Sequence, residues 1–182
     1  MRMLPGWVLL VCLLCARGVA AHHLNGSNTR VTFEIECLGV DWFSAAFPDL
    51  SGDFVPAPDG SGGQLSVSVR LASLNSRSPY WNERLRSPQW LDTTRYPEMT
   101  FHSTGIELQG AQRAQVHGEL TLHGVTRPLS LSFTDIDCPE ARAAPADHCR
   151  FLGRGELRRS DFGLPHGFWQ GGDWVEIIVR GD

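Results

Sequence analysis

From Arg30 onward, apolar and polar residues alternate with a period of two. In "RVTFEIECLG" the residues Val31, Phe33, Ile35 and Cys37 fall on one face, and Thr32, Glu34 and Glu36 on the other. "QLSVSVRLAS" repeats the pattern with Leu65, Val67, Val69 and Leu71, and "QVHGELTLHG" with Val116, Gly118, Leu120 and Leu122. Leu129, Leu131 and Phe133 continue it, followed by Val175, Ile177 and Val179. Alternation this regular predicts antiparallel strands with one apolar and one wet face. Turn-forming stretches lie between them: "PDGSGG" from Pro58 to Gly63 and "HGVTRP" from His123 to Pro128. The count is about eight strands, at which a closed barrel fills its interior or holds one small ligand. A sandwich fits the same pattern, whereas a parallel α/β sheet does not, because no strand alternates with a long helix.

The pattern breaks once. In "SPYWNERLR", Ser78 reads as an N-cap and Pro79 as a first helical residue, and Ser87-Pro88 repeats the device in "SPQWLD". The strand pattern resumes at "EMTFHSTGIEL". Leu85 to Phe101 is therefore a connection carrying short helical turns, placed where a barrel would carry a lid or plug.

The first residues bear on address. Arg2 precedes an apolar run of ten, Trp7 to Ala16, and small residues follow up to Ala20 and Ala21. That is the layout of a secretory signal peptide cut after Ala20 or Ala21, the run being too short for a bilayer span. Residues 1–21 are expected to be removed, leaving 22–182 as one domain in the periplasm or secreted. The removed segment holds Arg2 and Arg17 and no acids, which takes the formal charge from −4 to −6. An acidic domain without a single lysine has no nucleic-acid footprint. In an oxidising compartment, the polar segment "CPEARAAPADHC" predicts a Cys138–Cys149 disulfide, with Cys37 left as a buried thiol.

Catalytic signatures are absent: no G-x-S-x-G, no H-E-x-x-H and no phosphate loop. His102, His117 and His123 fall on outward parity and read as solvated. If cleavage falls after Ala20, the terminus becomes Ala21-His22-His23. Its amine, two amides and an imidazole then form the square-planar nitrogen set of Cu(II) and Ni(II); otherwise no metal is expected. Arg86 and Arg95 in the inserted connection are candidate contacts for an anionic head group, against a structural reading as surface ion pairs with nearby acids. The apolar parity carries no charge and includes Gly118, Gly153 and Gly155. An apolar interior with gaps suits a hydrophobic ligand, while glycines that relieve strand crowding would look the same.

Four blocks then carry a resemblance. "HLNGSNTRVTFEIECLGVDWFSAAFPDLSGDF", "ERLRSPQWLDTTRYPEMTFHSTGIE", "VHGELTLHGVTRPLSLSF" and "GRGELRRSDFGL" resemble, in that order, the YceI-like polyisoprenoid-binding family, from about Thr29 to Val179. The resemblance implies an all-β, extended eight-stranded lipocalin-like barrel, with Leu85 to Phe101 as a helical insertion beside the pore. It also implies an isoprenoid, a quinone or polyprenyl phosphate, held in an apolar pore, and no catalysis or other cofactor. The expected pore lining is Phe33, Ile35, Trp42, Phe47, Val67, Val69, Phe101, Gly118, Leu120, Leu122, Leu131 and Phe133. Transient membrane association and a homodimer are compatible with this reading. The alternative is a secreted protein docking on a membrane enzyme through exposed Trp81, Trp90, Phe168 and Trp169.

Overall fold

The computed structural model describes residues 21–37, 41–138, 149–165 and 172–181. Ten strands lie in it: β1 His22–Asn25, β2 Thr29–Cys37, β3 Asp41–Phe47, β4 Leu50–Pro56, β5 Gly63–Arg70, β6 Glu98–Leu108, β7 Ala114–Leu122, β8 Val125–Asp137, β9 Arg150–Arg158 and β10 Trp174–Gly181. All belong to one antiparallel sheet in the order β1-β4-β5-β6-β7-β8-β9-β10-β2-β3, which rules out the sandwich.

Ten strands replace the expected eight because two long strands are each bent and broken. β1 runs into β2 through the turn Asn25–Asn28, and β3 runs into β4 across Pro48–Asp49. β2 pairs with β3 and with β10, while β1 pairs with β4, which pairs with β5. The bent hairpin thus has one half on the β10 side and the other on the β5 side. It completes the ring through its covalent bends, and counting each bent strand once restores eight. Two local causes act at the bend. Pro48 has no N–H for a ladder, and Gly26 backs directly onto it: a Cβ at Gly26 would stand 1.9 Å from the Pro48 carbonyl oxygen.

The alternation survives as burial. Along β7, Ala114, Val116, Gly118, Leu120 and Leu122 are all buried. β7 turns into β8 through two residues only, His123 and Gly124, with φ of 52° and 74°. Positive φ at both central positions is the hairpin turn whose twist matches the strands. His123 is half-buried rather than solvated: its ring lies 4.5 Å from the Tyr96 ring, and Nδ1 is 3.2 Å from the Phe162 carbonyl. His117 is also half-buried, with Nδ1 2.8 Å from the Ser130 hydroxyl.

The connection from β5 to β6 contains one α-helix, α1, Pro79–Arg86. Ser78 caps it, accepting from the Trp81 amide at 3.5 Å, and Pro79 begins it. Beyond Ser87 the chain makes hydrogen-bonded turns rather than a second helix, with Trp90 N donating to Ser87 O. Leu71, Leu74, Leu85, Trp90 and Leu91 from this connection are buried in the core. They cap the end of the barrel where β5 finishes and β6 starts. No helix among the described residues is long and apolar enough to cross a membrane.

Candidate functional site

At the opposite end the sheet encloses a cavity of about 300 Å³. Its walls come from every strand except β3, and its mouth lies where β6, β8 and β10 end and β5, β7 and β9 begin. A disulfide joins Cys138 to Cys149 across β8 and β9, and both cysteines line this mouth. No lysine, arginine, aspartate or glutamate lines the cavity among the described residues. The lining is aliphatic and aromatic apart from the disulfide, Thr100 on β6, His22 and His23 on β1, and Asn28 and Thr29 where the β1–β2 bend ends. There the buried Thr29 donates to Asn28 Oδ1 at 3.0 Å, and Asn28 Nδ2 donates to the His23 carbonyl at 2.9 Å. This surface offers burial to a long apolar chain, and its only titratable side chains are His22 and His23 on β1.

Of the expected lining, Phe33, Val67, Val69, Phe101, Leu120, Leu131 and Phe133 face the cavity. Phe47 and Leu122 do not: each is 1% exposed and packed in the plugged end. Ile35 is half-buried against the core, away from the cavity. The side chains of Trp42 and Cys37 lie outside the described residues. Lining contributed by Phe54, Met99, Ile106, Phe151 and Val179 was absent from the expected set. The signal for Phe151 was present: Phe151, Gly153, Gly155 and Leu157 keep the period of two, but two glycines weaken it.

The inward glycines are not gaps. A Cβ on Gly118 would meet the Phe101 ring at 2.4 Å and the His102 carbonyl at 2.5 Å. One on Gly153 would meet the Phe133 ring at 2.7 Å, and one on Gly155 would meet Leu131 Cδ2 at 2.6 Å. Each glycine is a seat on which a neighbouring side chain lies back against the wall. A leucine at Gly118 would therefore overpack the wall rather than fill free space.

Neither arginine candidate reaches the cavity. Arg86 is half-buried at the plugged end, where its Nη2 donates to the Leu74 carbonyl at 2.5 Å. Arg95 is exposed, its guanidinium 5.3 Å from the Tyr96 ring centre. The aromatic docking patch loses a member, because Trp90 is buried at 7% exposure. Phe168 and Trp169 lie outside the described residues, and Trp81 is half-buried between Phe43 and Tyr80. His22 stacks on Phe54 and His23 Nδ1 contacts Asp53, both within the β1–β4 ladder. Successive residues of an antiparallel edge alternate in hydrogen bonding. One of the two amides that a square-planar site needs would therefore have to leave β4.

Comparison with known proteins places this geometry. The model of the YceI-like domain matches residues 22–181. The chain belongs to the YceI-like family. Protein YceI of Shigella flexneri is 29% identical over 163 residues, covering 85% of this chain and 81% of that protein. Among solved structures, Burkholderia cenocepacia BcnA superposes with a TM-score of 0.74 at 22% identity, over 86% of this chain and 97% of BcnA. A polyisoprenoid binding domain from Saccharophagus degradans, implicated in plant cell wall breakdown, has a TM-score of 0.58 at 16% identity, over 90% and 98% of the two chains. The all-β family fold is thus the fold of this chain, and the cavity occupies its interior.

Proposed function

We propose that this chain is an exported, non-catalytic carrier of an isoprenoid whose head group is neutral, a quinone rather than a polyprenyl phosphate. The observation that carries the reading is the cavity wall: apolar along its length, with no arginine, lysine or carboxylate among the described residues and only His22 and His23 as titratable groups. Membership of the YceI-like family supports it, as does the likeness to a domain named for polyisoprenoid binding. An isoprenoid tail gains roughly 25 cal/mol per Å² buried, before the costs of association. A phosphate drawn into the same space would lose its hydration with no guanidinium to replace it. A quinone oxygen, which only accepts, could instead take the second hydrogen of Asn28 Nδ2, since the Thr29 hydroxyl already donates to Asn28. Export rests on the N-terminal pattern of Arg2 and the apolar run to Ala16, and it suits the Cys138–Cys149 disulfide.

Native mass spectrometry of protein from the exported fraction, followed by solvent extraction, tests this. One bound species with an isoprenoid mass ladder and no phosphorus is expected. A phosphorylated cargo would sink the head-group assignment. A clean apo mass, unchanged after quinones and polyprenyl phosphates are offered, would sink the carrier.

A further inference from the structure

Near the mouth, two phenylalanines line the cavity side by side, Phe133 on β8 and Phe151 on β9, with ring centres 5.7 Å apart in an edge-to-face arrangement. Each stands directly across from a glycine in the sheet: Phe133 pairs with Gly153, and Phe151 pairs with Gly181. Each ring occupies the space that a Cβ on its glycine would take. The contact distances would be 2.7 Å for Phe133 Cε1 over Gly153 and 2.3 Å for Phe151 Cε1 over Gly181. An aromatic ring across from any larger residue would have to project over the bore. Across from glycine it can lie flat on the neighbouring strand, a pairing that also covers the exposed glycine backbone. The disulfide fixes the strand ends beside this pair, since Cys149 is two residues before Phe151.

We propose that Phe133 and Phe151, folded back on Gly153 and Gly181, form a collar that sets the width of the bore and selects which apolar molecules enter it. This rests on the carrier reading for its natural cargo, but the collar itself concerns any apolar guest. With the rings lying back, the bore admits ring-bearing guests as well as linear chains. With a ring displaced, it should admit linear chains only. Gly153 is the position at which this can be tested cleanly. Its three nearest neighbours for an added Cβ are all atoms of the Phe133 ring, at 2.7, 3.0 and 3.1 Å. At Gly181 and Gly118 a backbone carbonyl also stands in the way, Cys149 O at 2.5 Å and His102 O at 2.5 Å. Substitution there would press on the backbone, whereas at Gly153 the three nearest atoms all belong to the ring.

The experiment compares two neutral probes on the intact mature chain: N-phenyl-1-naphthylamine, read by its fluorescence, and dodecanol, read by displacement of that probe or by calorimetry. Gly153→Ala should weaken N-phenyl-1-naphthylamine about tenfold, the scale of forcing extra volume into a packed site. Dodecanol should change by less than about twofold, a smaller perturbation on the same scale. Adding Phe133→Leu to Gly153→Ala removes the displaced ring and should restore binding of N-phenyl-1-naphthylamine. A merely structural defect at Gly153 would weaken both probes alike and would not be rescued. Equal loss for both probes, or failure of the Phe133→Leu rescue in a folded double variant, overturns the collar. Geranylgeraniol binding to the unaltered protein is measured beside these. If it fails while the two probes behave as expected, the carrier reading falls and the collar stands.

Discussion

At the plugged end of the barrel, Phe47, Leu71 and Leu122 are 1%, 0% and 1% exposed. At the mouth end, side chains of the same kinds, Phe33, Val67 and Leu131, face a void. The strands are equally apolar at both ends, so residue size on the wall does not explain the difference. The connections do. The link between β5 and β6 is long and brings Leu85, Trp90 and Leu91 into the barrel. At the mouth, the links β4–β5 and β6–β7 are short, polar and glycine-rich, "APDGSG" and "QGAQR", with nothing apolar to insert. The glycine seats add a second cause, since they hold Phe101, Phe133 and Phe151 against the wall instead of across the bore. Among the described residues, the cavity is the end of the barrel that the β4–β5 and β6–β7 links leave unfilled.

The largest expected effect breaks the comparison if it is wrong. Leu122→Ala in the plugged end should cost about 4 kcal/mol, toward the upper part of the range for leucine truncation, because a fully packed site collapses poorly. Urea unfolding would measure it, and ligand stoichiometry should stay unchanged. Replacing Cys138 and Cys149 together by serine should cost about 3 kcal/mol in the chain-entropy model for a loop of this size. The accompanying rise in amide exchange should be confined to the mouth ends of β8 and β9. Leu131→Ala on the cavity wall should cost about 2 kcal/mol, since that side chain already lacks partners on one side. Equal losses for Leu122→Ala and Leu131→Ala would mean that the two ends are packed alike and that the void is not real in solution.

Much of this architecture could be read from residues alone, and the limits are informative. Period-two alternation located β2, β5, β7, β8 and β10, because a half-buried strand imposes that period directly. Ser78-Pro79 announced α1 because cap and first-turn chemistry act within a few residues. What parity cannot report is height along the barrel. Phe33 and Phe47 are both inward, and their rings are 5.1 Å apart, yet one lines the cavity and the other belongs to the plug. Parity also says nothing about cross-strand register, so Gly118, Gly153 and Gly155 read equally as missing volume or as relief of strand crowding. Only the pairing of Phe133 with Gly153 reveals that the volume is taken. At Gly26 and Pro48 each residue alone marks a break in its strand, but only the cross-strand pairing brings the two breaks together into one bend.

The smallest expected effect sharpens the comparison by asking whether the two ends are independent. A helix of eight residues has too few turns to be stable on its own, so α1 must be held by packing. The packing is visible: Leu85 is buried, Ser87 Oγ donates to the Arg84 carbonyl at 2.6 Å, and Arg86 reaches the Leu74 carbonyl. The cap at Ser78 is weak by comparison, at 3.5 Å from the Trp81 amide. Ser78→Ala should therefore cost only about 0.5 kcal/mol, the lower limit for loss of a cap. A shift this small in the urea midpoint, with probe affinity and release rate unchanged at the mouth, means that the plug is a static floor. A changed release rate at nearly unchanged stability would mean the reverse. The insertion would then communicate with the bore, and the plugged end would be part of how cargo leaves.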